Sequence, residues 1–254
     1  MLKITFLGTG TSQGIPVIGS TNPVCFSTDK RDKRLRVSIA IEWEDYRYII
    51  DCGPDFRYQM LRENINHIDG ILFTHEHADH TAGIDDIRPF SFKLGAVPFY
   101  AHKKVIENLK KRFEYVFVKE NKYPGAPSVQ LNEVDLNPFY LKDLKVIPVE
   151  AFHADTLVLG YRFNDFAYLT DIKSITATEK EKLKNLKVLV INALREKQHH
   201  SHLNLEEAIN LVNELKPERT YFTHISIDMG FHEEVQNKLP ENIFLAYDGL
   251  KLTI

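Results

Sequence analysis

Short apolar runs, several of them alternating apolar with polar residues, recur along the chain between turn-forming residues. A period of two marks strands whose alternate side chains face one core. The pattern predicts strands at 3–7, 37–43, 46–50, 70–73, 97–100, 144–149, 157–163, 167–169, 188–191, 220–223 and 243–246. Trp43-Glu44-Asp45-Tyr46 and Phe163-Asn164-Asp165-Phe166 lie between such runs and predict hairpin turns. The end of the chain, 244–254, is strand-like as well.

Helical spacing appears between the strands. Leu205, Ala208, Ile209, Val212 and Leu215 share one face, with Asn204 placed to cap the helix and Glu207 three residues further on. Val105, Ile106 and Leu109 mark a second helix, and Phe56 with Met60 a third. Residues 112–129, which include Tyr123-Pro124-Gly125-Ala126-Pro127, read as a loop or small insertion. The first half is rich in strands and hairpins; the second follows the same order and then alternates strand and helix. That order predicts an α/β (α+β) chain of two packed sheets with helices outside.

Composition narrows the class. At 254 residues the chain is long enough for a sizeable core, and we expect a single domain over 1–254. A net charge of -3 disfavours bulk attraction to a phosphate backbone. The two cysteines, Cys25 and Cys52, make no disulfide framework and suit a reducing compartment. We read neither a signal peptide in Met1–Phe6 nor any run near the ~20 apolar residues that cross a bilayer. A cytoplasmic protein with no membrane partner is expected.

The chemistry concentrates in Thr74-His75-Glu76-His77-Ala78-Asp79-His80, which follows the strand at 70–73. In extended chain His75 and His77 point the same way, so two imidazoles can grip one metal. Asp79 and His80 come after the chain turns and can reach a second. His153, Asp171 and His224 each stand where an apolar strand stops, so a site across the sheet edges would collect them.

The set His-x-His-x-Asp-His, then a lone His, an Asp and a late His resembles the metallo-β-lactamase superfamily over essentially the whole chain. The resemblance implies a four-layer αβ/βα sandwich with a dinuclear site at its edge. Carried over by position, one metal would be held by His75, His77 and His153. The other would be held by Asp79, His80 and His224, with Asp171 bridging both. Asp51, in Ile49-Ile50-Asp51-Cys52-Gly53, would orient a ligand histidine. The β-lactamases proper carry Cys where this chain has Asp171, and the diiron flavoproteins carry Glu where it has His77. Imidazole and carboxylate ligation suits two divalent ions, Zn first and Mn or Fe as alternatives.

Phe6-Leu7-Gly8-Thr9-Gly10-Thr11-Ser12-Gln13-Gly14 has neither the spacing of a dinucleotide fingerprint nor a following Gly-Lys-Ser/Thr. It is similar to the Gly-Thr-Gly opening of the phosphodiesterase branch, which includes the ribonuclease Z and phosphoribosyl cyclic phosphodiesterase families. His202, in His202-Leu203-Asn204-Leu205-Glu206-Glu207-Ala208, matches a non-ligand histidine of that branch that protonates a leaving oxygen or binds phosphate. His199 and His200 lie nearby, and Thr11, Ser12, Arg36 and His200 are candidates for substrate contact. Only 18 positions separate His153 from Asp171, which leaves no room for the tRNA-gripping arm of ribonuclease Z. The phosphoribosyl cyclic phosphodiesterases also hold a structural zinc on three cysteines and a histidine. Here Ser20, Asn22 and Ile227 replace all but Cys25, so no third zinc is expected.

The expectation is therefore a metal-dependent phosphodiesterase acting on a small or cyclic phosphate diester. Asp79 and Asp171 would fix the metals and His202 would act on the leaving oxygen. Relatives in this branch often pair, which makes a homodimer an open expectation; no extended nucleic acid is expected. The rivals are a hydrolase of thioesters or lactones on the same fold, a ribonuclease acting on short RNA ends, and a non-catalytic binding protein.

Overall fold

The computed structural model describes residues 1–118 and 120–254, and in them the alternating runs become strands. In chain order these are β1 (Lys3–Gly8), β2 (Ser38–Trp43), β3 (Tyr46–Ile50), β4 (Gly70–Leu72), β5 (Val97–Ala101), β6 (Val129–Glu133) and β7 (Phe139–Leu141). They continue with β8 (Leu144–His153), β9 (Thr156–Phe163), β10 (Phe166–Tyr168), β11 (Val188–Asn192), β12 (Arg219–Thr223), β13 (Ile243–Leu245) and β14 (Lys251–Thr253). They form two seven-stranded sheets, ordered β14-β1-β2-β3-β4-β5-β6 and β13-β12-β11-β10-β9-β8-β7. In the first sheet the pairs from β14 to β3 are antiparallel and those from β3 to β6 parallel. The second sheet has the same plan, antiparallel from β7 to β10 and parallel from β10 to β13.

The period of two assigns each face. Phe6, Ile39, Ile41, Tyr48 and Ile50 of the first sheet meet Val146, Leu159, Tyr161, Phe163, Phe166 and Tyr168 of the second in one buried cluster. The intervening residues face outward under helices: Ile49, Ile71 and Phe99 pack with Phe56, Val105 and Leu109. On the far side Leu189, Ile191 and Phe222 pack with Ala208, Leu211 and Val212. The result is the expected helix–sheet–sheet–helix sandwich. Each fully buried aliphatic or aromatic side chain contributes roughly 1.5–3 kcal/mol, so this double core can hold locally unfavourable backbone elsewhere. Two hydrogen bonds also cross between the sheets: Tyr161 Oη donates to the Phe73 carbonyl (2.7 Å) and Leu159 N to the Thr74 carbonyl (2.9 Å). They fasten β9 to the segment leaving β4.

Both predicted hairpins form, with Trp43 opposite Tyr46 and Phe163 opposite Phe166. The helix Leu205–Leu215 begins with the predicted Asn204/Glu207 capping box, and Lys103–Arg112 and Phe56–Arg62 are helical. The pattern missed β6 and β7. β6 lies at a sheet edge without clean alternation of burial, and β7 has only three residues. It also missed the helix Arg88–Leu94, where phenylalanines mimic strand and Pro89 sits at the first turn, a place helices tolerate proline. Among the described residues no helix is long and apolar enough to cross a membrane.

Candidate metal centre

The short strand β4 delivers the first group of side chains. After Leu72 the chain runs through Phe73 and Thr74 to His75 and His77, and then turns into the helix Ala78–Thr81. Close backbone packing presses this helix against the end of β3. Cys52 N donates to the His80 carbonyl (2.8 Å), and a Cβ on Gly53 would fall 2.0 Å from the Asp79 carbonyl oxygen. Glycine is therefore required beside Cys52.

The second sheet supplies the rest from separate strands. His153 closes β8, Asp171 follows β10, and His224 directly follows β12. Asp171 and His224 have φ of 57° and 55°, and Asp51, directly after β3, has 65°. Left-handed backbone takes each residue out of the strand's in-and-out alternation. Such residues cost roughly 1–3 kcal/mol each and persist where surrounding structure over-determines them; Asp and His enter this region more readily than most.

The rings converge. His75 lies 4.5 Å from His77 and 4.2 Å from His80, and His77 lies 5.1 Å from His153, centre to centre. The donor atoms of Asp79, His80, Asp171 and His224 all fall within 4.8 Å of one another. Asp171 Oδ2 is 3.1 Å from His224 Nε2, 3.4 Å from His80 Nε2 and 4.0 Å from His75 Nε2, which places it between the two groups.

Hydrogen bonds fix which nitrogen faces the centre. Asp51 Oδ1 accepts from Thr74 N (2.8 Å), and its Oδ2 accepts from Thr74 Oγ1 (2.8 Å) and His80 Nδ1 (2.7 Å). Because the Thr74 hydroxyl donates to Asp51, it accepts from His75 Nδ1 (3.0 Å). His153 Nδ1 donates to the Ser201 carbonyl (2.8 Å). Three rings thus direct their Nδ1–H groups outward and keep an Nε2 lone pair. The Nε2 atoms of His75, His80 and His224 are buried with no hydrogen-bond partner. Unpaired buried nitrogens beside carboxylates, with the His75 and His80 rings each oriented by an oxygen behind them, fit divalent cations.

Charge agrees with this fit. Burial favours neutral Asp79 and Asp171, but neighbouring imidazoles outweigh it, His80 chiefly for Asp79 and His224 then His80 for Asp171. Both carboxyls are held below the usual carboxylate range. Burial opposes charge on His80 too, yet Asp171, Asp79 and Asp51 raise its proton affinity well above an ordinary imidazole. Burial and His80 push His75 down, and burial and His153 push His77 down.

His202 is buried beside this group, its ring 4.3 Å from His153 and 4.9 Å from His224. Burial, then His224, hold it down to about 2. His200 lies further out and is exposed; the ring next to His202 is His199, at 5.1 Å. Thr11 N donates to the Ile225 carbonyl (3.2 Å), so the Gly-Thr-Gly loop borders His224. The Arg36 guanidinium binds Asp55 (3.2 Å) and the Ser12 carbonyl (3.1 Å), which makes it a brace for that loop. Ser20, Asn22 and Cys25 are joined by hydrogen bonds: Asn22 N donates to Ser20 Oγ (3.2 Å), Val24 N to Asn22 Oδ1 (3.0 Å) and Val17 N to Cys25 Sγ (3.4 Å). Cys52 is fully buried, and burial pushes its thiol up.

Two supporting residues escaped the sequence reading. Thr74 orients His75 and helps hold Asp51, and Ser201 orients His153. Thr74 opens the histidine motif, which was a usable signal; Ser201 acts through its carbonyl, which carries none.

Comparison with known proteins gives a consistent picture. A family model described as Beta-lactamase superfamily domain matches residues 46–225. A solved structure described as a new diphosphatase from the PhnP family is 43% identical, with a TM-score of 0.93, covering 99% of this chain and 96% of that one. Zn(2+)-bound PqqB from Methylobacterium extorquens has a TM-score of 0.78 at 16% identity, covering 99% of this chain and 100% of that one, which is a likeness of fold. A Porphyromonas gingivalis protein named octanoyltransferase is 40% identical over 256 residues, covering 100% of this chain and 52% of that protein. The chain thus spans about half the length of that relative.

Proposed function

The chain belongs to the metallo-β-lactamase superfamily, as a PhnP-like member, and from that premise we propose that it is a metal-dependent phosphoric diester hydrolase. One observation carries the reading. Seven side chains from both sheets converge, and hydrogen bonds at the rear of His75, His80 and His153 leave their Nε2 lone pairs for cations. His75, His77 and His153 would hold one ion and Asp79, His80 and His224 another, with Asp171 shared. Divalent ions held there would supply hydroxide from water near neutral pH and offset charge growing on the phosphoryl oxygens.

The protein's own groups do the rest. Asp51 and Thr74 keep His80 and His75 in register. His202, beside His153 and His224, is the group we assign to protonate the departing oxygen. Its low proton affinity in the free protein means that an anionic phosphate must draw the proton onto it, as a nearby negative charge does. In the net reaction the water oxygen bonds to phosphorus, the bond to the leaving oxygen breaks, and a proton ends on that oxygen. Three features support a small diester: the β9–β10 hairpin fills the chain between His153 and Asp171, the net charge is negative, and the relative at 43% identity is described as a diphosphatase. Both thiols are buried, so none stands ready to carry an acyl group, and we assign no acyl transfer to this chain. The unpaired thiols suit a reducing compartment.

The test is hydrolysis of bis-p-nitrophenyl phosphate by chelated protein before and after reloading with Zn or Mn. Turnover should appear only with metal. Equal turnover by the chelated form would end this reading.

A further inference from the structure

Asn192 closes β11 with a fully buried side chain that belongs to none of the groups described above. Its amide grips one residue of the neighbouring turn at both polar atoms. Asn192 Oδ1 accepts from Ile172 N (2.8 Å), and Nδ2 donates to the Ile172 carbonyl (3.1 Å). A backbone N–H only donates and a carbonyl only accepts, so the amide has one orientation. The strand pairing of β10 with β11 ends at Tyr168 opposite Val190. Asn192 thus supplies from a side chain a rung that the backbone no longer makes, directly after the left-handed Asp171. On the other flank Thr170 Oγ1 donates to Asp171 Oδ1 (2.6 Å), which leaves Oδ2 beside His80 and His224.

The Ile172 carbonyl also accepts from Leu203 N (2.9 Å), the residue directly after His202. The Leu203 carbonyl in turn accepts from Leu194 N (3.0 Å), just past Asn192. The stretch that carries His202 is therefore suspended between Ile172 and Leu194; the Asn192 amide fixes the first and the exit of β11 the second. On its other side Asn192 stands opposite Thr223 in the β11–β12 ladder, and Ala193 N donates to the Thr223 carbonyl (3.0 Å), next to His224. The residue type follows from the contacts. A carboxylate has no proton for the Ile172 carbonyl, leucine has neither group, and a primary amide offers a donor and an acceptor side by side.

We propose that Asn192 is a positioning residue that holds His202 against Asp171, and so sets the acid relative to the reacting phosphorus. This rests on the phosphodiesterase reading above. Asn192 acts through Ile172 on one side and Leu203 on the other, and through backbone bonds alone. His75 and His80 are oriented from the first sheet, by Thr74 and Asp51, independently of it. Loosening Asn192 therefore disturbs the proton delivered to the leaving oxygen, and that proton matters most where the leaving oxygen is most basic. A p-nitrophenolate departs readily without it and a phenolate does not.

The experiment measures kcat at saturating Zn or Mn, with metal content checked, on symmetrical aryl diesters running from bis-p-nitrophenyl phosphate to diphenyl phosphate. Wild type, Asn192→Leu, His202→Ala and the double variant are compared. Asn192→Leu nearly keeps the volume and removes both hydrogen bonds. Its deficit against wild type should be about tenfold larger on diphenyl phosphate than on bis-p-nitrophenyl phosphate, a part of the ~10²–10⁴-fold that a positioned acid supplies. In the His202→Ala background the same substitution should add no further dependence on the leaving group, because the two residues act as one unit. Asn192→Ser, a shorter polar side chain, carries the same comparison should the leucine variant fail to fold. A deficit equal across the series overturns the proposal, since a merely structural amide would lower every rate alike. A further dependence in the double variant overturns it too, as does a wild type that turns over only the nitrophenyl ester. Metal-loaded wild type that hydrolyses none of the series sinks the phosphodiesterase reading beneath it.

Discussion

The two halves of the candidate metal centre are built differently. His75, His77, Asp79 and His80 come from one stretch after β4, pinned through Thr74 and a tight contact with Cys52 and Gly53. His153, Asp171 and His224 come from the ends of three strands far apart in the chain, and two of them rest on left-handed backbone. The first half is a motif and the second is an assembly. A motif can form wherever its strand ends, whereas an assembly exists only once the second sheet has its final register. The parallel ladder β10–β11–β12, with Tyr168 opposite Val190 and Val190 opposite Tyr221, sets that register.

Substitutions in either half test whether they act as one unit. His77→Ala, from the motif, and Asp171→Asn, from the assembly, should each abolish metal binding and hydrolysis together. The losses should exceed the ~10–100-fold that a supporting residue costs, as read by elemental analysis and turnover. An Asp171→Asn protein with full metal and full turnover would separate the halves and break the comparison. His202→Ala should keep its metal and lose roughly 10²–10⁴ in kcat. Metal loss there would move His202 from the leaving oxygen into the cluster.

Asp51→Asn probes the junction, because Asp51 reaches His80 directly and His75 through Thr74. Its metal affinity should weaken ~10–100-fold, measured by competition with a chromophoric chelator. A change under twofold would leave the rear hydrogen bonds without a role.

The assembly half also leans on a polar network. Ile225, next to His224, pairs with Thr9 (2.9 Å), and Thr9 accepts from Arg34 (2.8 Å), whose Nη2 meets His232 Nδ1 (3.1 Å). Burial, then Arg34, push His232 down from 6.5 to about 4. Between those values the unfolded chain binds a proton that the folded chain refuses, so His232 costs stability as pH falls, by roughly 3 kcal/mol in all. Asp248, pushed up to about 6 by burial, acts with the opposite sign over an overlapping range. The difference between His232→Gln and wild type in urea melts from pH 7 to 4 therefore isolates the histidine. The variant should lose less stability than wild type on the acid side; parallel curves would remove His232 from the account. The smallest effect is expected for Tyr161→Phe, which leaves the Phe73 carbonyl unpaired and should cost about 1–3 kcal/mol. Its urea midpoint should fall while the metal content of the folded protein stays full.

Legibility in the sequence follows the same division. His75, His77, Asp79 and His80 announce themselves because chain neighbours become neighbours in the candidate site. His153, Asp171 and His224 could be named because each interrupts a strand run at its end, but their grouping came from a family resemblance. Nothing local specifies that β8, β10 and β12 end at one edge. The left-handed turns at Asp51 and Asp171 were faintly visible, since aspartate tolerates that region, but tolerance does not say which aspartates use it. Ser201 and the order of the rings at 199–202 depend on backbone direction alone, so His200 was singled out where His199 stands next to His202. Edge strands such as β6 stayed hidden because neither face is fully buried, which leaves neither a clean alternation nor an apolar run.

The left-handed corners at Asp51, Asp171 and His224 bear on any attempt to graft this centre onto another scaffold. Copying seven residues onto straight strands would aim them along the host's own pleat, toward opposite faces, and no common point would form. The transferable unit is a set of bent strand exits, and a host able to accept it must hold those bends before any ion arrives.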